Sequence, residues 1–484
     1  MGFMTFLDNI FTRNGKDKDK IASLLKVDSK ALAAFDEAYK KRCFLDGKSD
    51  NLFEISAKEA AEMRERPVEQ DLDDGIIERV VAELLSQTQR WVYDGKSALL
   101  ESCTPECLPA EQSLVSRNEI MALLPAARPQ LTGSLMMSDL KGEPSYFALL
   151  RFYSMYLSSP QSQKGKHAYH MFRQGLDLLD LDPITYQIIG TNPNSIGFWL
   201  PKMVAPVASK GFFKIPKTTI IKVPLSLLQL TRINFGTLTP ATIAIVDRFC
   251  HEAFKLNDNG DYFVKTGTYS SKFDFRNAHV VGEKEVRELG EYLLFIHYQA
   301  LCMSHYDLSG RNQPIIYGVS TTNEWCVREF IKDTESRPTI YNGLPLRTEY
   351  RAFVDFDTRQ VIGIHPYWDA KVMKDRFDNG SDAGTPKMMH DAVTYRACED
   401  LLQAQYDAGK NKVTEHLQNI ISSSDIPLTG QWSVDIMQNG EDFWLIDMAQ
   451  ADLSAYYKEA VPEELRKRSK ENWLPEDVQK VLLK

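Results

Sequence analysis

GQWSVDIMQNGEDFWLIDMAQ, from Gly430 to Gln450, is the stretch that decides how this chain is read. Two runs of apolar, β-branched and aromatic residues flank Gln438, Asn439, Gly440 and Glu441, which supply the turn chemistry of a hairpin. Each strand carries one carboxylate among apolar neighbours: Asp435 between Val434 and Ile436, and Asp447 between Ile446 and Met448. Desolvating a carboxylate in such a strand is costly unless it is paired or coordinates a cation. Two of them on paired strands can face one magnesium ion, which is held beside a nucleotide by one or two carboxylates together with phosphates. Strand-end aspartates bridged to lysine or arginine satisfy the same pattern, so the hairpin alone leaves both readings open.

Working outward, three upstream segments add basic and polar groups. DYFVK, Asp261 to Lys265, reads as a strand ending in lysine, and TGTYSSK, Thr266 to Lys272, follows it. Such a loop offers backbone N–H groups and hydroxyls to a phosphate, and Lys265 and Lys272 add positive charge. WCVREFI, Trp325 to Ile331, is an apolar strand whose backbone groups can read an adenine edge. EYRAFV, Glu349 to Val354, puts Arg351 on an apolar strand, where it needs an anionic partner: a phosphate, Glu349 or another internal carboxylate.

In this order the segments resemble the ATP-grasp superfamily. KIPKTTIIK, Lys214 to Lys222, resembles the strand that precedes its nucleotide domain, and the match runs over roughly residues 195 to 460. The arrangement is most similar to the branch containing the assembly chaperones of eukaryotic translation initiation factor two and related bacterial and viral proteins. The resemblance implies ATP and Mg2+ between two α+β lobes. Lys265, Ser270, Ser271 and Lys272 would form the phosphate loop, Arg328, Glu329, Phe330 and Ile331 the adenine hinge, and Asp435 and Asp447 the metal ligands. Arg351 would be the catalytic residue, facing the phosphates or an acyl phosphate. The implied activity is a carboxylate–amine or peptide-type ligase, acting on a carboxylate and an amine. The alternative is an ATP-binding assembly factor with little turnover. The family usually places Asn two residues after the last acidic ligand, and here that position is Ala449. Gln450 starts on the wrong face of the strand to replace it. One magnesium ion, or binding without efficient turnover, is the expectation that follows.

The remaining chain sets the frame. The fold class expected is α+β: an ATP-grasp-type two-lobed domain preceded by a helix-rich N-terminal region. The divisions expected are a small helical module and linker at 1–50, a helix-rich domain at 51–185, the nucleotide domain at 186–460 and a helical tail at 461–484. Apolar periodicity predicts helices over Ile21 to Arg42, Ala57 to Arg66, Ile76 to Tyr93, 146–180, Glu283 to Leu301 and Met388 to Ala408. It predicts strands over Pro183 to Gly190, Pro216 to Pro224, Tyr262 to Lys265, Trp325 to Lys332, Glu349 to Phe356 and Val361 to Pro366.

A net charge of −9 over 484 residues gives no electrostatic reason to expect nucleic-acid binding. Seven scattered cysteines read as reduced thiols, and no apolar run is long enough to span a membrane, so a cytoplasmic protein is expected. No H-E-x-x-H, G-x-S-x-G, H-R-D or D-F-G segment supports a zinc peptidase, a serine hydrolase or a protein kinase. The expected partners are nucleotide and either the two ligase substrates or a protein docked by the helical N-terminal region. His365, Trp368 and Asp369 can line an acceptor site, although a hydrogen-bonded strand-end histidine is the simpler reading of His365.

Overall fold

The computed structural model describes residues 74–103, 145–169, 188–232, 240–305, 321–380, 384–423 and 425–469, with isolated positions outside these stretches. It is an α+β structure built on two sheets. The first has six antiparallel strands in the order β2-β1-β4-β7-β5-β6. They are β1 (Gln89–Tyr93), β2 (Ala98–Ser102), β4 (Thr218–Lys222), β5 (Asp261–Thr266), β6 (His279–Val281) and β7 (Glu324–Glu329). The second sheet has the order β11-β10-β12-β13-β3 and comprises β3 (Phe213–Lys214), β10 (Glu349–Asp355), β11 (Gln360–Pro366), β12 (Gln431–Asn439) and β13 (Asp442–Gln450). Its pairings are antiparallel except β13 with β3. A two-stranded ribbon, β8 (Thr339–Ile340) with β9 (Leu344–Pro345), lies between β7 and β10 in the chain.

Each sheet has its own core. Helices α1 (Asp74–Ser86), α5 (Pro240–Phe254) and α7 (Leu289–His305) bury Val80, Leu84, Ile245, Phe249, Leu289 and Leu293 with Ile221, Val264 and Trp325 of the first sheet. Helix α2 (Ser145–Ser158) adds Phe152, Tyr153 and Tyr156 to the same cluster. On the second sheet, α3 (Ile196–Lys210) and α9 (Pro386–Ser423) cover Tyr350, Val354, Val434 and Leu445. Along α9 the buried positions step by three and four, from Met388, Ala392 and Tyr395 to Val413, Leu417 and Ile420. That is one continuous stripe, and it holds 38 residues in a single helix. The short helices are α4 (Leu225–Leu228), α6 (Glu283–Arg287), α8 (Ala370–Asn379) and α10 (Tyr457–Ala460).

Several expectations change. The helix read over Ile76 to Tyr93 ends at Ser86, and Gln89–Tyr93 is β1, paired with β4. Apolar residues continue past the helix end, so the helical period ran on into a strand. β1 and β2 lie before residue 185 yet complete the first sheet, so the change of texture near 185 does not separate two cores. Of the expected Pro183 to Gly190 strand, positions 186 and 188–190 are described, and they belong to a helical turn: Gly190 N–H donates to the Tyr186 carbonyl at 3.1 Å, and Ile188 and Ile189 enter the first core together. The Glu283 to Leu301 helix is two helices broken at Glu288, and the Met388 to Ala408 helix runs from Pro386 to Ser423. Ala57 to Arg66 lies outside the described residues, and of Ile21 to Arg42 only positions 22–24 and 30 are described, all helical. Helix α2 covers part of 146–180, with a further helical run to residue 169. Of the expected helical tail at 461–484, residues to 469 are described, and they form a 3-10 turn at Glu463–Leu465 and then an irregular run.

Candidate functional site

The segment Lys214 to Lys222 crosses from one sheet to the other: Lys214 ends β3 and Thr218 starts β4. Beside this crossing lies a cleft of about 860 Å³ of empty space, open to solvent. The first sheet lines it with Phe263, Lys265, Ser270, Lys272, Phe275 and Arg328–Ile331. The opposite wall is Leu344, Pro345, Arg347, Glu349, Asp435, Met437, Ile446 and Asp447, and Pro216 joins the two.

One end of the cleft is charged. Arg351, Asp435 and Asp447 occupy one cross-strand row over β10, β12 and β13. Arg351 donates Nε and Nη2 to the two oxygens of Asp435 at 2.8 and 2.7 Å, a bidentate pair that is largely buried. Lys265, 2% exposed, points its ammonium at both oxygens of Asp447, 3.2 and 3.1 Å away. A β-bulge sets this row. Asp435 pairs with Asp447, but the next pair is Ile436 with Leu445, leaving Ile446 as the extra residue. The bulge turns both Ile446 and Asp447 toward the cleft. It also frees the Ile446 carbonyl to accept Arg328 Nη1 at 2.5 Å. Gly440, at φ +62°, makes the tight turn that keeps β12 and β13 in this register.

Arg328 is 4% exposed, and its Nε donates to Thr218 Oγ1 at 3.1 Å. Its Nη2 is buried without a hydrogen-bond partner among the described residues, and burial pulls the guanidinium pKa below its usual value. Lys272 lies over the Tyr367 ring at 3.9 Å. Burial lowers its pKa, with Glu349 the main opposing charge. The carboxylate of Glu349, a residue 8% exposed, has no hydrogen bond or ion pair within 4 Å among the described residues. Burial raises its carboxyl to about 7, Asp435 pushes the same way, and Lys272 opposes.

The other end is apolar and aromatic. Phe263 stacks on Phe275 at 5.9 Å, and Phe330 stacks on His279 at 3.9 Å. The Glu329 and Phe330 N–H groups are bonded to the Lys217 and Asp261 carbonyls. The Ile331 carbonyl accepts Arg347 Nη2 at 2.7 Å, while its N–H has no partner among the described residues. Among the described residues, the segment Glu329 to Ile331 therefore presents one unpartnered backbone donor beside an aromatic slot.

Of the residues read from the sequence, Lys265, Ser270, Lys272, Arg328, Glu329, Phe330, Ile331, Asp435 and Asp447 come together on the cleft. Ser271 does not: it is 1% exposed and its hydroxyl donates to Gln299 of α7 at 2.8 Å. Arg351 stands behind the lining, held by Asp435 rather than by Glu349. His365 keeps a strand-end role, its Nδ1 hydrogen-bonded to the Pro366 carbonyl at 2.9 Å and its ring stacked on Tyr456. Among the described residues, neither Gln450 nor Asp452 takes the place of the asparagine missing at Ala449: Gln450 Oε1 accepts from Asn194 Nδ2 at 3.4 Å, and the Asp452 carboxylate is bound by Ser469. Sequence reading missed Arg347 and a site role for Glu349. The signal for Glu349 was present, because residues two apart on a strand share a face and Glu349 precedes Arg351 by two.

Among the described residues no three His, Cys, Asp or Glu side chains cluster to hold a metal unaided. Asp435 and Asp447 offer two hard carboxylates on one row, a set that fits magnesium once phosphate oxygens and water complete the shell. No helix of the described residues is long and apolar enough to cross a membrane.

No protein-family model matches the chain, and no curated protein does. Solved structures similar to it include C-terminally truncated Cdc123 from Schizosaccharomyces pombe, at 14% sequence identity and a TM-score of 0.28, covering 58% of this chain and 94% of that one. Full Cdc123 from the same organism is 15% identical with a TM-score of 0.26, covering 55% of this chain and 85% of that one. Likeness at these scores carries no functional argument, so the reading rests on the residues themselves.

Proposed function

We propose that the cleft binds ATP with one magnesium ion, in the manner of an ATP-grasp protein. The observation that supports this is the charged row Arg351–Asp435–Asp447 facing the buried Lys265, at one end of a cleft whose other end is an aromatic slot with a single backbone donor. A purine stacks in such a slot and accepts from the Ile331 N–H. Lys265 and Lys272 provide for phosphate oxygens, and the buried guanidinium of Arg328, its Nη2 without a partner among the described residues, adds positive charge behind them. Asp435 and Asp447 would hold magnesium, which when bound supplies charge neutralisation between phosphates. Arg351 fixes Asp435 in place and adds a second cation behind it.

The reaction such a site serves is carboxylate–amine ligation, in which basic groups position and stabilise a transferring phosphoryl group without a protein nucleophile. One observation favours the second reading, a nucleotide-dependent assembly factor with little turnover: Ala449 stands where a further ligand is expected, and the Gln450 and Asp452 side chains are engaged by Asn194 and Ser469. Calorimetric titration of the full chain with ATP, in magnesium and in EDTA, tests the binding claim. Saturable binding strengthened by magnesium is expected, and absence of ATP binding under both conditions overturns it. ADP release on adding candidate acids and amines separates ligase from assembly factor.

A further inference from the structure

A second cavity, of about 550 Å³ of empty space, lies between β10, the start of α8 and the middle of α9. Glu349 borders both this cavity and the cleft, so the two share a wall. Its lining has a consistent chemistry. Three carboxylates, Glu349, Glu399 and Asp400, line it, and none has an ion-pair partner within 4 Å among the described residues. Tyr406, 6% exposed, lines it with a hydroxyl that makes no hydrogen bond among the described residues. Two polar side chains more than nine-tenths buried, Tyr406 and Glu349, therefore border one cavity without a hydrogen-bond partner. Neither the Tyr406 hydroxyl nor the Glu349 carboxylate is among the fully buried unpartnered atoms of the described residues, so both keep accessible surface for a ligand or water to meet.

The aromatic walls are rigid. Trp368 Nε1 donates to the Arg347 carbonyl at 2.8 Å, and Tyr395 donates its hydroxyl to the Trp368 carbonyl at 3.0 Å. Lys410, 5.6 Å from the Tyr406 ring, is already paired with Asp407 at 2.6 Å. Carboxylates exclude an anion, and a purely apolar ligand would leave the Tyr406 hydroxyl and the carboxylates unmet. A metal ion is disfavoured because no three ligating groups cluster among the described residues.

We infer that this cavity is a second binding site, separate from the nucleotide cleft, for a small organic cation: a protonated amine carried on an apolar body. The ammonium would take the carboxylates and the Tyr406 hydroxyl as acceptors, and the body would lie against Trp368 and Tyr395, where aromatic faces attract cations. This claim stands whether or not the cleft binds ATP.

The test titrates the full chain with phenethylamine, and with phenethyl alcohol as its neutral counterpart, by calorimetry. Saturable binding of the amine at millimolar concentration is expected, with the alcohol at least about tenfold weaker, ~1.4 kcal/mol. The double variant Glu399→Gln/Asp400→Asn, whose fold is checked by its melting curve, should bind the amine at least about tenfold more weakly. ATP titration of the same variant should be unchanged. No saturable amine binding, equal binding of the alcohol, or an unaltered double variant would each overturn the proposal. If the double variant fails to fold, Tyr406→Phe keeps the ring and removes only the hydroxyl, and undiminished amine binding by it overturns the proposal too. Loss of ATP binding by the parent chain overturns the cleft reading alone.

Discussion

Asp447→Asn separates the structural role of the charged row from its proposed role in metal binding. In this structure both oxygens of Asp447 neutralise an ammonium that is 2% exposed. Removing one partner of a buried pair typically costs about 3–5 kcal/mol, because the other charge stays buried and uncompensated. Two features reduce that here. The Asp447 side chain is 40% exposed, so the pair is partly screened, and the Lys265 ammonium also interacts with the Glu324 carboxylate. A loss of ~2 kcal/mol is expected, read as a shift of the urea midpoint at constant slope. Nucleotide binding should respond differently. With one carboxylate gone, ATP in EDTA meets less repulsion and keeps Lys265 as a partner, so metal-free affinity is retained or improved. The gain in affinity on adding magnesium should fall by at least about tenfold, ~1.4 kcal/mol. Calorimetry in EDTA and in magnesium measures both quantities on one sample. An undiminished magnesium gain refutes the metal assignment. A stability loss below ~0.5 kcal/mol would show that the Lys265–Asp447 pair contributes no more than an exposed ion pair.

Burial holds Glu349 up to about 7, against an ordinary carboxyl value of 4.5. Between those values the folded chain binds the proton more tightly than the unfolded chain, so stability falls as pH rises through the window. Glu349→Gln should remove that slope, by at most ~3 kcal/mol, in urea midpoints taken at about pH 4.5 and about pH 8. Asp247, likewise raised to about 7 by burial, should keep its own slope in that variant. A Cβ at Gly267 would run into Thr322 Oγ1 and the Glu324 carboxylate at the start of the loop that follows β5. Gly267→Ala should therefore cost ~1–3 kcal/mol in chemical unfolding and weaken ATP binding as well, and an unchanged unfolding midpoint would contradict it. Arg351→Met leaves Asp435 buried without its bidentate partner and should lower stability by ~3 kcal/mol by the same measurement, with an effect under ~1 kcal/mol counting against it.

How much of this was legible depended on whether chemistry followed a simple period. The hairpin itself was legible from two apolar runs either side of the turn at Gly440, but strict alternation from that turn would set Asp447 opposite Val434, on the other face from Asp435. The strand read at Tyr262 to Lys265 placed Lys265 at the end of β5, and Ser270 and Lys272 followed from their nearness to it in the loop. The bulge at Ile446 that brings Asp435 and Asp447 into one row was not legible, because WLIDM carries no glycine to mark an extra residue. Yet the bulge puts Ile446 and Asp447 on one face and gives Arg328 its carbonyl acceptor. Ser271 was misplaced because a loop hydroxyl shows no direction until its packing partner, Gln299, is known. Gln89–Tyr93 was misread because Trp91, Val92 and Tyr93 extend the apolar pattern of α1, and only pairing with β4 shows that the chain has changed state.

The charge arrangement of the cleft makes a further demand on the ligand. Lys265 is paired with Asp447 and Arg351 with Asp435, while Lys272 and Glu349 are each other's main charge neighbours. A triphosphate arriving alone would bring negative charge against Asp435 and Asp447. A divalent cation arriving alone would draw Asp447 from the buried Lys265. Together they exchange partners: the metal takes the carboxylates, and the phosphates take the ammonium groups. Nucleotide and magnesium should therefore bind with positive coupling. Linkage requires the factor by which magnesium strengthens ATP binding to equal the factor by which ATP strengthens magnesium binding. Asp447→Asn should reduce both factors together. A variant that lowered one and spared the other would mean that metal and nucleotide do not meet at this row.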